Sequence, residues 1–264
     1  MAFLYCTNFY FDGESSEDHG IIICSFDGSN NGNMGAGSKV EFTTVSVPNS
    51  AKVLRTHAKY KEQLTISFSV CKKPFENKQF AFTAEEQREI MRWLIRKDFK
   101  YICFDSDGYE NIFYNVQIQA EHKRAGGELI GYDLTCTCDA PWGWSEEVVV
   151  DLSNINNRLF DGSDEIGNVH PYTEIIATGN GTVSIQNNET GQKTEIKNCI
   201  TGEKIILDEL MHITSDNSNH KSLYDDFNWS FPEIQNTYFS TDNDYTLTNC
   251  TAIMKWRESR KAVV

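Results

Sequence analysis

IFYNVQIQAEHKRAGGELIGYDLTCTC, Ile112 to Cys138, alternates apolar and polar residues on both sides of Ala125-Gly126-Gly127. A period of two is that of a strand with one buried face, and glycine permits the positive φ that a tight hairpin turn requires. The stretch predicts an antiparallel hairpin turning across Lys123 to Gly127. Upstream, FLYCTNFYF to Asp12-Gly13, GIIICSF, KVEFTTVSV (Lys39 to Val47), EQLTISFSV (Glu62 to Val70) and YICFD (Tyr101 to Asp105) read as further short strands. One helix interrupts them: Thr83 followed by Glu86 is a capping box, which opens AEEQREIMRWLIRK and predicts a helix over about 84–97. Ile90, Met91, Trp93, Leu94 and Ile95 would form its apolar side.

Downstream of Ala140-Pro-Trp-Gly-Trp144 the composition becomes more polar. A second series of strand-like segments then follows: YTEIIAT, TVSIQN, QKTEIK, EKIILDE, FNWSF, NTYFS and YTLTNCTAIMKW. Turn signals at Gly179-Asn180-Gly181, Thr190-Gly191 and Thr201-Gly202 separate some of them, and no helix signal competes. Seven short strands at this spacing predict a β-sandwich of jelly-roll or immunoglobulin-like kind. In FNWSF, alternation places Phe227, Trp229 and Phe231 together on the buried face.

The 264 residues leave room for two domains, and an apolar fraction of 39% with 12% aromatics suits sheet-rich globular cores. No stretch approaches the roughly 18 apolar residues of a membrane helix, and the N-terminus lacks a basic leader, so a soluble, unexported product is expected. The net charge of −14, with −4 in residues 1–144 and −10 in 145–264, disfavours tight phosphate binding by the whole surface. Eight cysteines are too sparse to replace a core and read as packed thiols. Cys136 and Cys138 would share one strand face and do not form a CxxC fork.

No residue pattern announces an active site. GNMGAGSK (Gly32 to Lys39) imitates a phosphate loop, but it leads into a strand and not a helix N-terminus. The six histidines lack HExxH spacing and no GxSxG elbow is present. Asp105 with Asp107, and Asp225 with Asp226, read as turn carboxylates; a calcium site or glycosidase pair is the sharper alternative. Asn180, Asn188, Asn228 and Asn249 match glycosylation acceptors but lack a secretory context. Tyr224, Trp229, Tyr238 and Tyr245 read as core, and a sugar platform would require several of them exposed together. Catalytic, cofactor-binding and metal residues are therefore expected to be none.

FYFDGESSEDHGIIICSF, the capped helix followed by YICFDSDG and a hairpin, and LTCTCDAPWGW as a hinge into an acidic sandwich resemble the distal tail protein family of long-tailed bacteriophages and prophages. TVSIQNNETGQKTEI, TGEKIILD, FPEIQNTYFS and YTLTNCTAIMKW are similar to that family's galectin-like C-terminal domain. The resemblance spans nearly the whole chain and implies a mainly β protein. Residues 1–144 would be a β-sandwich-like ring domain with one helix and a hairpin, and residues 145–264 a galectin-like sandwich projecting outward. It further implies a non-enzymatic homo-hexamer at the virion tail tip, assembled in the bacterial cytoplasm. The ring would join the tail tube protein to the tape measure protein, the tail-associated (tip/lysin) protein and receptor-binding or baseplate components. DNA would pass through the channel without specific binding, and no membrane insertion is implied. The loop from Gly28 to Ser38 would order on a tail partner. A carbohydrate-binding module or adhesin recognising host cell-wall glycans is the alternative reading, and a glycosidase a third.

Overall fold

In the computed structural model, which describes residues 6–26, 38–46, 53–73, 80–107, 109–153, 158–237 and 242–261, the glycine hairpin forms as read. The chain divides into two units, Met1–Trp144 with Arg260–Val264, and Ser145–Ser259.

The first unit runs β1 (Phe9–Phe11), β2 (Glu14–Ser15), β3 (Ile21–Cys24), β4 (Val40–Ser46), β5 (Val53–Tyr60), β6 (Thr65–Lys72), α1 (Ala84–Leu94), β7 (Lys100–Phe104), β8 (Tyr114–Ala125) and β9 (Glu128–Cys138). Seven strands make one sheet in the order β2-β1-β7-β8-β9-β6-β3, and β4 and β5 form a separate two-stranded ribbon. β5 escaped the sequence reading because Arg55, His57 and Lys59 break any run of apolar residues. The turn joining β8 to β9 is Gly126-Gly127, at φ +60° and +89°, with Ala125 paired to Glu128. A Cβ on either glycine meets nothing within 4 Å, so only the backbone opposes a side chain. Gly127→Val should cost about 1–2 kcal/mol and Gly127→Asn less, because Asn tolerates the left-handed region. Denaturant unfolding of the two variants checks that order.

Helix α1 starts as the capping box dictates. Thr83 Oγ1 accepts from the Glu86 amide at 3.3 Å, and Glu86 Oε2 accepts from the Thr83 amide at 2.8 Å. Lys72 Nζ meets Glu86 Oε1 at 2.6 Å, which ties the helix start to β6. The helix ends three residues before the expected 97. Ile95 is already extended at φ −90°, ψ 100°, and Arg96 Nε folds back to the Trp93 carbonyl at 3.1 Å, satisfying a terminal acceptor from outside the helix. Ile95 is consequently exposed, while Ile90, Trp93 and Leu94 enter the core. Trp93 lies parallel to Phe9 (centroids 5.7 Å, 17°), edge-on to Phe11 (5.9 Å), and donates from Nε1 to the Phe11 carbonyl at 3.3 Å. Helix and first strand are thereby locked into one apolar cluster with Ile66, Phe104, Leu134 and Cys136.

β10 (Gly143–Asp151) leads into the second unit, followed by β11 (Arg158–Phe160), β12 (Gly167–Val169), β13 (Tyr172–Ala177), β14 (Gly181–Asn187), β15 (Lys193–Cys199), β16 (Lys204–Leu207), β17 (Ile213–Ser215), α2 (Leu223–Asp226), β18 (Ile234–Asn236), β19 (Asp242–Thr248) and β20 (Cys250–Arg260). Sheets ordered β10-β20-β13-β16-β17 and β11-β19-β14-β15 send alternate residues into one core, among them Ile175, Ile205, Met254 and Trp256 from the first and Val183, Ile185, Ile196 and Tyr245 from the second. This is a β-sandwich. YTLTNCTAIMKW, read as one strand, is two. Asn249 takes φ +58° and its Nδ2 donates to the Gly179 carbonyl at 3.1 Å, so the chain leaves one sheet at Thr248 and enters the other at Cys250. The short helix α2 was also unexpected; four residues are too few to show a periodicity. Among the described residues no helix is long and apolar enough to cross a membrane.

Candidate functional site

Two exposed features stand out, one in each unit. In the first unit, the β4–β5 ribbon carries Val40, Phe42 and Val45 at 42, 45 and 49% exposure, and every residue of β4 is exposed. Its base is anchored: Tyr60 packs edge-on to Trp142 at 5.3 Å, the Lys61 amide donates to the Lys39 carbonyl at 2.8 Å, and Ser38 Oγ donates to the Pro141 carbonyl at 3.2 Å. A two-stranded ribbon is marginal in water by itself, and apolar side chains on an exposed sheet face or edge are features that assembly uses.

In the second unit, Tyr224 and Trp229 are 62 and 57% exposed, with ring planes 12° apart and centroids 5.9 Å apart. This corrects the expectation for FNWSF. Phe227 and Phe231 are buried, but Trp229 points out, because its φ of +57° breaks the strand alternation on which the reading relied. Tyr245 is buried and donates from its hydroxyl to the Glu233 carbonyl at 2.7 Å, whereas Tyr238 lies outside the described residues.

The same unit holds a buried hydrogen-bonded cluster around His220. His220 sits between Glu203 Oε1 (Nδ1, 2.6 Å) and Asp226 Oδ2 (Nε2, 3.2 Å), with the side chains of His220 and Glu203 only 2% and 0% exposed. Burial works to raise the Glu203 carboxyl, but bonds from Ser215, His220, the Ile200 amide and Asn217 outweigh it and hold the group below its ordinary value. Asp226 is held low chiefly by Ser222, against some desolvation, with help from Asn198 and His220. Cys199, Glu203 and His220 place one potential metal-ligand atom each within 4.8 Å of one another. However, both His220 nitrogens are engaged by carboxylates, and burial pushes the Cys199 thiol up to about 12, so a cation would have to displace existing bonds.

The remaining candidates scatter. Asp105, Asp107 and Asp225 are exposed, and the glycine-rich stretch before Ser38 lies outside the described residues, with β4 and not a helix after it. Cys136 and Cys138 are buried on one face of β9, and all eight cysteines are free thiols. The four asparagines of the glycosylation-like triplets bond neighbouring groups instead: Asn180 accepts from the Thr201 amide, Asn188 donates to Asp244, Asn228 is bonded to β15, and Asn249 makes the turn between sheets.

A β-rich first unit, a second β-sandwich unit and one exposed apolar feature on each make this a two-domain, mainly β protein. A phage tail protein N-terminal domain family matches residues 4–140 and a phage tail C-terminal domain family residues 142–256. The chain belongs to this phage tail protein family. Its fold is that of the SPP1 Dit (gp 19.1) distal tail protein, described as a paradigm of the hub adsorption apparatus in Gram-positive-infecting phages. That match has a TM-score of 0.66 and 10% identity over 96% of this chain and 98% of that one. A sequence comparison with curated proteins gives no significant match.

Proposed function

We propose that the chain is the structural hub of a phage tail tip, six copies closing into a ring that joins the tail tube to the tail-associated and baseplate or receptor-binding proteins. Residues 1–144 build the ring, and residues 145–259 form the galectin-like domain that projects toward the tail's outer components. The observation that carries this reading is the β4–β5 ribbon, whose exposed Val40, Phe42 and Val45 gain burial against a second copy. A closed ring is a heterologous assembly in which the ribbon of one copy meets a different surface of the next. The net charge of −14 per copy favours a channel wall that does not hold DNA. The role is structural, with no catalytic step.

Negative-stain imaging with light-scattering mass over a concentration series tests the proposal. Six-fold rings of six times the 30.1 kDa chain mass, singly or stacked in pairs, are expected. Replacing both Val40 and Val45 by Asp should shift the population to monomers with little change in Tm, because both positions are exposed. A 30.1 kDa species at every concentration counts against ring closure by the chain itself.

A further inference from the structure

We propose that Tyr224 and Trp229 form a preorganised platform that binds a neutral pyranose with equatorial hydroxyls, a saccharide site on the second unit that is independent of ring assembly. Trp229 is a bulky residue in the left-handed region at φ +57°. Such backbone is strained for a bulky side chain and persists where surrounding structure fixes it, as it does at ligand clamps. Here the fixing bonds are explicit. Trp229 Nε1 donates to the Tyr224 carbonyl at 3.1 Å, which joins the two aromatic residues directly. The preceding Asn228 is bonded to β15 through its amide (to the Glu195 carbonyl, 3.0 Å), its Oδ1 (from the Glu195 amide, 3.1 Å) and its Nδ2 (to the Lys193 carbonyl, 2.8 Å). Phe227, buried, supports Trp229 with ring centroids 5.5 Å apart. The helix carrying Tyr224 is pinned by Asp226, which accepts from Ser222 Oγ at 2.6 Å and Asn198 Nδ2 at 2.8 Å and engages His220. The rings are therefore held before any ligand arrives, and preorganisation lowers the entropic cost of binding.

The chemistry around the rings selects the ligand. A protein partner of ordinary affinity needs a contiguous interface of about 1,000 Å² or more with an apolar centre. The chain neighbours Asp225 and Asn228 are exposed and polar, as are Lys193 and Asn198, which bond to Asn228 and to Asp226. Near-parallel flat rings suit the C–H face that a pyranose presents when its hydroxyls are equatorial. The hydroxyls then point outward, where the exposed carboxylate of Asp225 can accept. A net charge of −10 over residues 145–264 selects a neutral sugar over a phosphate-bearing polymer.

Titration of the full-length chain with chitohexaose, followed by saturation-transfer NMR and calorimetry, tests the site. The wild type should bind, and poly(glycerol phosphate) should not compete. Tyr224→Ala and Trp229→Gly should each weaken binding by about tenfold or more. Trp229→Gly should leave Tm unchanged or raised, since glycine relieves the left-handed backbone; if it misfolds, the exposed Tyr224→Ala supplies the reading. Absence of chitohexaose binding by the wild type, competition by the polyanion, or undiminished binding by Tyr224→Ala would overturn the proposal. Ring formation is measured separately and its failure leaves these outcomes unaffected.

Discussion

Trp93→Ala should destabilise the first unit by about 3–5 kcal/mol, lowering Tm on the order of 10 °C. The size follows from what the indole touches. It is buried against Phe9 and Phe11, stacks on the His19 ring at 3.9 Å, and its N–H satisfies the Phe11 carbonyl at 3.3 Å. Truncation leaves a cavity between α1 and β1 and removes the donor to a carbonyl at the end of that strand. Trp93→Phe should lose less, because it keeps ring contacts and forfeits mainly the hydrogen bond. Ile95→Ala, two residues on but exposed past the helix end, should change stability by less than about 0.5 kcal/mol. Calorimetry on the three variants decides the matter: equal effects at positions 93 and 95 would show that the helix does not pack as described.

Glu203→Ala should be comparably costly to the second unit, about 3–5 kcal/mol, because it strips one partner from a buried pair. Its carboxylate accepts from Ser215 Oγ at 2.6 Å, Asn217 Nδ2 at 3.3 Å and the Ile200 amide at 3.0 Å, besides meeting His220. All four groups lose their acceptor together. The same group makes stability depend on acid with a definite sign. Its carboxyl is held low in the folded chain, so the unfolded chain takes up the proton first as pH falls. The stabilisation is complete above the unfolded value of about 4.3 and disappears as pH drops through the folded one. Asp226, also held low, acts in the same direction. Glu203→Gln keeps the shape without the charge, so it should lose less at pH 7 and show a flatter fall of Tm between about pH 5 and 3. An unchanged acid profile in that variant would remove Glu203 from the explanation.

Both networks show how unevenly function was written in the sequence. The capping box at Thr83 and Glu86, the glycine pair at 126 and 127, and the alternation of β8, β9, β13 and β16 were legible because each rests on contacts within a few residues or on a strict period. The identity of the fold was legible too, as an order of short segments from FYFDGESSEDHG to YTLTNCTAIMKW. Trp229 and the His220 network were not. Alternation in FNWSF assumes extended backbone throughout, and one positive φ at Trp229 turns the indole from core to surface. Nothing local marks that residue, since its conformation is fixed by Asn228 bonding to a strand 33 residues earlier.

The sequence by itself determined a mainly β chain of two domains, the start of helix α1, the site of the β8–β9 hairpin, and its kinship with phage tail proteins. These follow from periodicity, turn chemistry and caps, which act over a few bonds. Only the tertiary structure decided where that helix stops, that β4 and β5 stand apart as a ribbon, which aromatics face solvent, and that Glu203, His220 and Asp226 meet in one buried cluster. Those outcomes depend on which side chains and backbone groups arrive together from distant parts of the chain, and the free energy of burying or exposing them is settled only when they do.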